Sequence, residues 1–343
     1  MAAEKLRRGE DLTLEEAHDA ASGMLGGMGT DESAELLSLL ARKGETDEEL
    51  LGVLEAVSEH SERVVPRNSG TVIDVCGTGG DGMSTLNVST ACAFVAAASG
   101  CTVAKHGNRS SSGCSGSADI FERLGCDLDQ RPGDAASLLE DLNICFMYAP
   151  RYHPALAGIA DARKKVGGRT VFNLVGPLCN PAGVRDQLVG VSSQDLLGRI
   201  PRILHRRGAG SAMAVMSDDG MDELSTSSHG SACILRGGEV YTERVDPEAL
   251  GLHASSANEL RIHSAGGAFH SFVAVLDGRA GRAMAETVEL NAAAALVVGG
   301  ISEGLADGIE AARVAIEGGA ASDLLDRFVA KAGDPGMLRE ARE

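Results

Sequence analysis

The spacing of apolar positions changes character near residue 70. Before it, apolar residues recur at helical spacing in "DLTLEEAHDAASGML", "TDESAELLSLLARKGET" and "TDEELLGVLEAVSEH", each opening on an acidic turn. Thr13, with Glu16 three positions on, forms a capping box and predicts a helix start. "RNSG" (67–70) reads as a hinge-like linker. Beyond it, β-branched runs alternate with helical stretches. "TVIDVCG" and "CTVAKHG" predict strands on either side of "STACAFVAAASG". That middle stretch is apolar on nearly every side, which predicts a buried helix capped by Ser89 or Thr90 and ended by Gly100. Strand, glycine loop, helix and strand make a βαβ unit, so a parallel sheet with a right-handed crossover follows.

The alternation continues through helix "SADIFERLG", a strand near "ICFMYA", a helix after Pro154, strand "QLVGV", helix "LLGRIPRILHRRG" and strand "SAMAVMS". "VELNAAAALVVGG" and "GIEAARVAIEGGAASDLLDRFVAKAG" predict helices near the C-terminus. A chain of 343 residues exceeds what one compact core usually holds. The expected class is α/β: a large domain with a mostly parallel central sheet flanked by helices, plus a small all-helical domain.

Composition narrows the function classes. Aromatics make up only 3% and tryptophan is absent, so alanine- and glycine-rich helices pack closely rather than forming a sheet-only fold. The net charge of −18 argues against a general nucleic-acid binder, because phosphate backbones select basic surfaces. Among the basic residues only Lys5, Lys43, Lys105, Lys164, Lys165 and Lys331 are lysine. An acidic, lysine-poor surface suggests adaptation to high salt, with an ordinary acidic protein as the alternative. The eight cysteines (76, 92, 101, 114, 126, 145, 179 and 233) form no CxxC pair and read as reduced core fillers, not a disulfide frame or zinc site. No signal peptide or bilayer-length apolar stretch is seen, and the expected location is cytoplasmic, without a membrane partner.

The densest chemistry lies in "GTGGDGMSTLNVSTA" (77–91). "GTGGDG" fits G-x-G-x-x-G, yet the cap candidates come seven or more positions after Gly82. The next strand ends in Lys105 and His106 instead of a ribose-binding acid, so the dinucleotide reading fails. A tight turn alone needs one or two glycines, not four. Exposed backbone N–H groups of the glycines, the hydroxyls of Ser84, Thr85, Ser89 and Thr90, and a helix N-terminus behind them favour an anion. A second loop, "KHGNRSSSGCSGSAD" (105–119), follows the neighbouring parallel strand and should lie beside the first. Its Lys105 and Arg109 suit phosphate oxygens; Asn108 and the serines suit a polar ligand. "VMSDDGMDELST" offers Asp218, Asp219, Asp222 and Glu223, which read alone are either a cation site or a solvated acidic turn. Arg163, on the helix after Pro154, is either a carboxylate-binding fork or a surface arginine.

Taken together, "DVCGTGGDGMSTLNVSTA", "VAKHGNRSSSGCSGSAD", "APRYHP", "RTVFNLVGPLCNPAG" and "DGMDELS" resemble, in order and spacing, the motifs of the anthranilate phosphoribosyltransferase family. The likeness covers essentially the whole chain, from "GEDLTLEEA" to "NAAAAL". It implies a fold of the nucleoside phosphorylase and phosphoribosyltransferase type. The small domain would be residues 1–66 with a returning segment about 165–190, and the large domain 71–164 and 191–343. It implies transfer of phosphoribose from phosphoribosyl pyrophosphate to anthranilate in tryptophan biosynthesis, Mg²⁺ dependence and a homodimer formed through the small domains. Carried over, Gly77, Thr78, Gly79, Gly80, Asp81, Thr85, Asn87, Ser89, Thr90, Lys105 and Ser117 would bind phosphoribosyl pyrophosphate. Ser89, Asp222 and Glu223 would hold Mg²⁺. Asn108 and Arg163 would bind anthranilate, with Gly77, His106, Tyr152, His153 and Pro177 lining its pocket.

Two positions depart from the resemblance. Cys114 stands where the family often has lysine, and Leu86 where it commonly has an aromatic. Neither touches the implied metal or amine positions, so both bear on affinity more than on activity. No dedicated acid or base is expected, because positioning and electrostatics suffice for a neutral aromatic amine meeting an oxocarbenium-like ribose. A pyrimidine nucleoside phosphorylase is the rival of the same fold, disfavoured by "KHGNRS" and the Asp222–Glu223 pair. A relative using another aromatic acceptor is a further alternative. A non-catalytic nucleic-acid-binding relative is opposed by the charge.

Overall fold

The computed structural model describes residues 2–66, 70–110 and 113–343. Residues 67–69 of the predicted linker, and Ser111 and Ser112 of the second loop, lie outside the described residues. The chain divides into two compact units, Met1–Val64 with Ala149–Gly183, and Val65–Tyr148 with Val184–Glu343.

The first unit is helical. Its N-terminal helices are Ala2–Arg7, Leu14–Leu25, Thr30–Lys43 and Asp47–Glu59. Thr13 and Glu16 form the expected capping box, and Thr46 with Glu49 forms a second. Alanines and a glycine let the backbones approach: Ala17 of the second helix meets Gly52 of the fourth. Glu49 is fully buried, yet its carboxylate accepts from Leu12 N, Thr46 N and Lys43 Nζ at 2.8–2.9 Å, so the charge is satisfied. The returning segment opens at Ala149 and closes at Gly183, earlier at both ends than residues 165–190. Its start is tied back by Glu62 N donating to Tyr152 O (2.8 Å) and by an Arg151–Glu62 ion pair. The helix Ala160–Val166 then packs on Thr30–Lys43. After Pro154 the chain makes a 3₁₀ turn to Ile159 before that α-helix begins.

The second unit is built on one seven-stranded sheet: β1 (Val72–Gly77), β2 (Thr102–Gly107), β3 (Ile144–Tyr148), β4 (Asp186–Gly190), β5 (Ser211–Ser217), β6 (Gly230–Arg236) and β7 (Glu239–Val245). The order is β3-β2-β1-β4-β5-β6-β7, parallel from β3 to β5 and antiparallel at β6 and β7. All five parallel strands coincide with apolar runs expected as strands; β6 and β7 are not among those expected, although β6 buries Ala232, Cys233, Ile234 and Leu235. Only Val245 of β7 is fully buried, so this edge strand carries almost no hydrophobic alternation to detect.

The helix Val88–Ala98 joins β1 to β2 and is buried along nearly its whole length. Phe94 on it packs against Phe121, Phe272 and Phe328, with ring centroids 5.3–6.1 Å apart. That cluster anchors the core under one face of the sheet. The helix begins at Val88, not after the expected caps Ser89 or Thr90. Asn87 occupies the cap position with no side-chain cap bond, so a partner from elsewhere must meet the first turn. Among the described residues no helix is long and apolar enough to cross a membrane.

Strand order reverses between β1 and β4: β2 and β3 are added on one side of β1, and the chain then crosses back from β3 to place β4 and β5 on the other. In such sheets a crevice opens at the C-terminal strand edge at this switch point. The glycine loop leaves β1 there.

Candidate active site

Gly79, Gly80 and Gly82 take positive φ (63°, 85° and 70°), a conformation that side chains make costly, which accounts for the glycine density of the loop. The loop is pinned to β4: Thr78 N donates to Gly190 O (2.8 Å), and Ser192 Oγ donates to Gly79 O (3.0 Å). Asp81 Oδ1 accepts from Met83 N (3.0 Å) and closes the turn. Farther on, Thr85 bridges Arg261, and Asn87 Nδ2 donates to Ser115 O (3.0 Å), joining the first loop to the second.

The four acids after β5 separate into two pairs. Asp218 points to Arg244, and Asp219 accepts from Ser227 Oγ (2.5 Å) within its own loop. Asp222 and Glu223 turn to the glycine loop instead. Asp222 Oδ2 accepts from Gly79 N (2.9 Å), and Glu223 Oε1 accepts from Ser89 N (3.1 Å). Glu223 thus supplies the carboxylate at the first turn of Val88–Ala98 that Asn87 does not. Burial, and then the charge of Asp81, pushes the Asp222 carboxyl up to about 7. Burial, and then Asp222, pushes Glu223 well above the usual carboxylate range, partly opposed by Lys105.

Lys105 lies buried in β2 rather than open in the loop after it. Its Nζ donates to Val75 O (2.7 Å) and to Ser89 Oγ (3.3 Å). Burial lowers its pKa, while Asp74 opposes the shift. Asp74, fully buried in β1, accepts from His106 N (3.1 Å) and so fixes the start of the second loop. Beyond it Ser117 Oγ donates to Asn108 O (3.2 Å). Arg109, expected to face phosphate, is committed elsewhere: its guanidinium pairs with Glu122 and Asp119 at 2.7 Å. Cys114 is exposed, whereas the other seven cysteines are buried and all eight are free thiols. Leu86 is buried.

The remaining expected residues sit in the helical unit. Arg163, on Ala160–Val166, donates through Nη2 to Asn173 Oδ1 (3.4 Å) and is half-buried. Pro177 lies in the short 3₁₀ turn Gly176–Leu178. Tyr152 and His153 are buried within the unit, and burial pulls His153 down to about 4, which leaves the imidazole neutral near pH 7.

The match to Mg²⁺ rests on the donor set. Glu223 Oε2 is sealed from solvent and has no hydrogen-bond partner among the described residues. The charge of Asp81 raises the pKa of Asp222, and Asp222 and then Asp81 raise that of Glu223, as crowded anions do. Among the described residues no group of three or more His, Cys, Asp or Glu side chains is arranged to hold a metal by itself. Mg²⁺ commonly takes one or two carboxylates and completes its shell with water and substrate phosphates, so two acids beside an anion loop fit it.

Family models match most of the chain: the glycosyl transferase family a/b domain at residues 69–322 and its helical bundle domain at residues 2–61. The anthranilate phosphoribosyltransferase of Nitrosopumilus maritimus is 51% identical over 98% of this chain and 97% of its own. The chain belongs to the anthranilate phosphoribosyltransferase family. The family's crystal structure from Thermus thermophilus superposes with a TM-score of 0.89 at 34% identity, covering 98% of this chain and 99% of that one. The anthranilate phosphoribosyltransferase of Saccharomyces cerevisiae, solved in complex with PRPP and Mg, has the same fold, with a TM-score of 0.86, 24% identity and 96% of each chain covered.

Sequence inspection missed three supports of the site: Gly190, Ser217 and Asp74. A Cβ on Gly190 would overlap the Asp222 carbonyl oxygen, and one on Gly77 would come within 2.9 Å of Asp222 Oδ2. A glycine inside the strand-like run "QLVGV" was the available signal, since it marks close backbone approach. Ser217 Oγ donates to Glu223 O (2.7 Å) from the end of β5, and nothing in its strand pattern marks it.

Proposed function

We propose that this chain transfers phosphoribose from phosphoribosyl pyrophosphate to the amine of anthranilate, giving N-(5-phosphoribosyl)anthranilate and pyrophosphate, a step in tryptophan biosynthesis. The observation that carries the proposal is the Asp222–Glu223 pair, hydrogen-bonded to Gly79 of the glycine loop and to Ser89 in the first turn of the helix behind it from more than a hundred residues away. A helix start, glycines at positive φ and two buried acids converge where a metal-complexed pyrophosphate would be held.

In this reading Gly77, Thr78, Gly79, Gly80, Asp81, Thr85, Asn87, Thr90 and Ser117 bind the donor. Ser89, Asp222 and Glu223 hold Mg²⁺. When bound, the ion neutralises charge on the leaving pyrophosphate. The buried Lys105 orients the Ser89 hydroxyl and balances Glu223 rather than meeting solvent. Asn108 and Arg163 take anthranilate, with His106, Tyr152, His153 and Pro177 shaping its surroundings. The anthranilate nitrogen forms the bond to ribose C1 as the C1–oxygen bond to pyrophosphate breaks, and the nitrogen's proton leaves to water. The neutral amine needs no prior deprotonation, so positioning and electrostatics carry the step.

Loss of anthranilate fluorescence on adding phosphoribosyl pyrophosphate and Mg²⁺ tests the proposal. Rapid loss abolished by a chelator is expected. Arg163→Ala should raise KM for anthranilate by about 10- to 100-fold with a smaller effect on kcat, the scale of a lost charge-assisted bond. No loss, in folded protein that binds phosphoribosyl pyrophosphate, would refute anthranilate as the acceptor and point to another aromatic amine.

A further inference from the structure

The buried helix Arg282–Val298 carries the "NAAAAL" motif, and the site as described gives that motif no task. Its Asn291 is almost wholly buried and spends its amide on one loop residue. Leu224 N donates to Asn291 Oδ1 (3.0 Å), and Asn291 Nδ2 donates to Leu224 O (2.7 Å). The second amide hydrogen goes to Thr287 O (2.8 Å) on its own helix, which fixes the side-chain rotation. Leu224 is therefore gripped by both backbone groups, as in a β-bridge, one residue after Glu223.

Neighbouring contacts complete the grip. Ser217 Oγ donates to Glu223 O (2.7 Å), and Thr226 Oγ1 pairs with Thr287 Oγ1 (3.0 Å) on the same helix. From the other side the bare backbone of Gly190 lies against the Asp222 carbonyl. The acid pair is thus held between a strand end and a rigid helix, with its carboxylates projecting to Gly79 and Ser89.

We propose that Asn291 is a positioning residue that sets the Asp222–Glu223 pair against the glycine loop, and through that pair the affinity for Mg²⁺ with phosphoribosyl pyrophosphate. The proposal rests on the functional reading above. Alanine at 291 removes three bonds and leaves the buried N–H and C=O of Leu224 without partners, so the loop shifts to satisfy them. Groups that orient metal-binding carboxylates typically govern affinity by 10- to 100-fold. Asn291→Asp keeps the shape and the bond from Leu224 N, but a carboxyl offers at most one donor for two carbonyls.

The experiment is calorimetric binding of phosphoribosyl pyrophosphate across a Mg²⁺ series, with Tm recorded for each protein. Asn291→Ala should raise the Mg²⁺ midpoint by roughly tenfold or more, and Asn291→Asp by less. Leu296→Ala, a buried cavity variant farther along the same helix, should lower Tm and leave the midpoint near wild type. A folded Asn291→Ala protein with the wild-type midpoint overturns the proposal; if it does not fold, an unchanged midpoint in Asn291→Asp does so. A midpoint moved equally by Leu296→Ala also overturns it, because the effect would then follow stability alone. Wild-type protein whose phosphoribosyl pyrophosphate binding ignores Mg²⁺ refutes the functional reading, and this proposal with it.

Discussion

Single atoms decide much of this site. The missing Cβ of Gly190 makes room for the Asp222 carbonyl, and no rotamer adjustment can relieve a clash between a Cβ and a backbone oxygen. Gly190→Ala is therefore expected to displace the Asp222–Glu223 pair, weaken Mg²⁺-dependent donor binding and destabilise the protein by about 1–3 kcal/mol, the usual range for overpacking. Denaturant unfolding and donor binding check it; an unchanged midpoint in both would show that the loop yields freely. The glycine loop was legible from sequence because its chemistry is local, positive φ and hydroxyls. The four acids after β5, read alone, left a cation site and a solvated turn equally open, and only the family resemblance singled out Asp222 and Glu223. Gly190 and Asn291 were not legible, since each acts on a residue more than thirty positions away. Arg109 shows the converse. Its charge and position suggested phosphate, but Glu122 and Asp119 on the following helix claimed it.

At the scale of elements, the capping boxes and the five parallel strands followed from pattern alone. Thr13 marks the start of Leu14–Leu25, its hydroxyl accepting from Glu16 N (3.2 Å). Thr13→Ala should cost about 1 kcal/mol, seen as a lowered Tm with KM for both substrates unaltered. A KM change of the donor would mean that the cap does more than end a helix. The start of Val88–Ala98 was misplaced because its first turn is met by Glu223 rather than by a local side chain. Local rules for helix starts presume a local partner; a carboxylate arriving from the β5 loop leaves no trace next to the helix. β7 escaped for another reason. This edge strand is exposed along most of its length, so selection for burial writes no alternation there.

For the molecule as a whole, 49 acidic residues stand against 31 basic ones, and self-repulsion opposes the compact state. Tm should rise from low to molar KCl, where the Debye length contracts to about 3 Å. A Tm that falls with added KCl would overturn the salt-adaptation reading. We also infer a homodimer, which sedimentation velocity would read directly; a monomer at assay concentration refutes it. Composition, periodicity and the ordered motifs by themselves determined the class of fold, the segments that form the parallel strands and the anion-favouring character of the glycine loop, because each depends on residues close in sequence. Only the tertiary structure decided which acids face that loop, that Lys105 is buried, and that Asn291 is bonded to Leu224 beside the pair. Those outcomes depend on which strand ends meet at the switch point between β1 and β4, and that meeting is set by the packing of segments far apart in the chain.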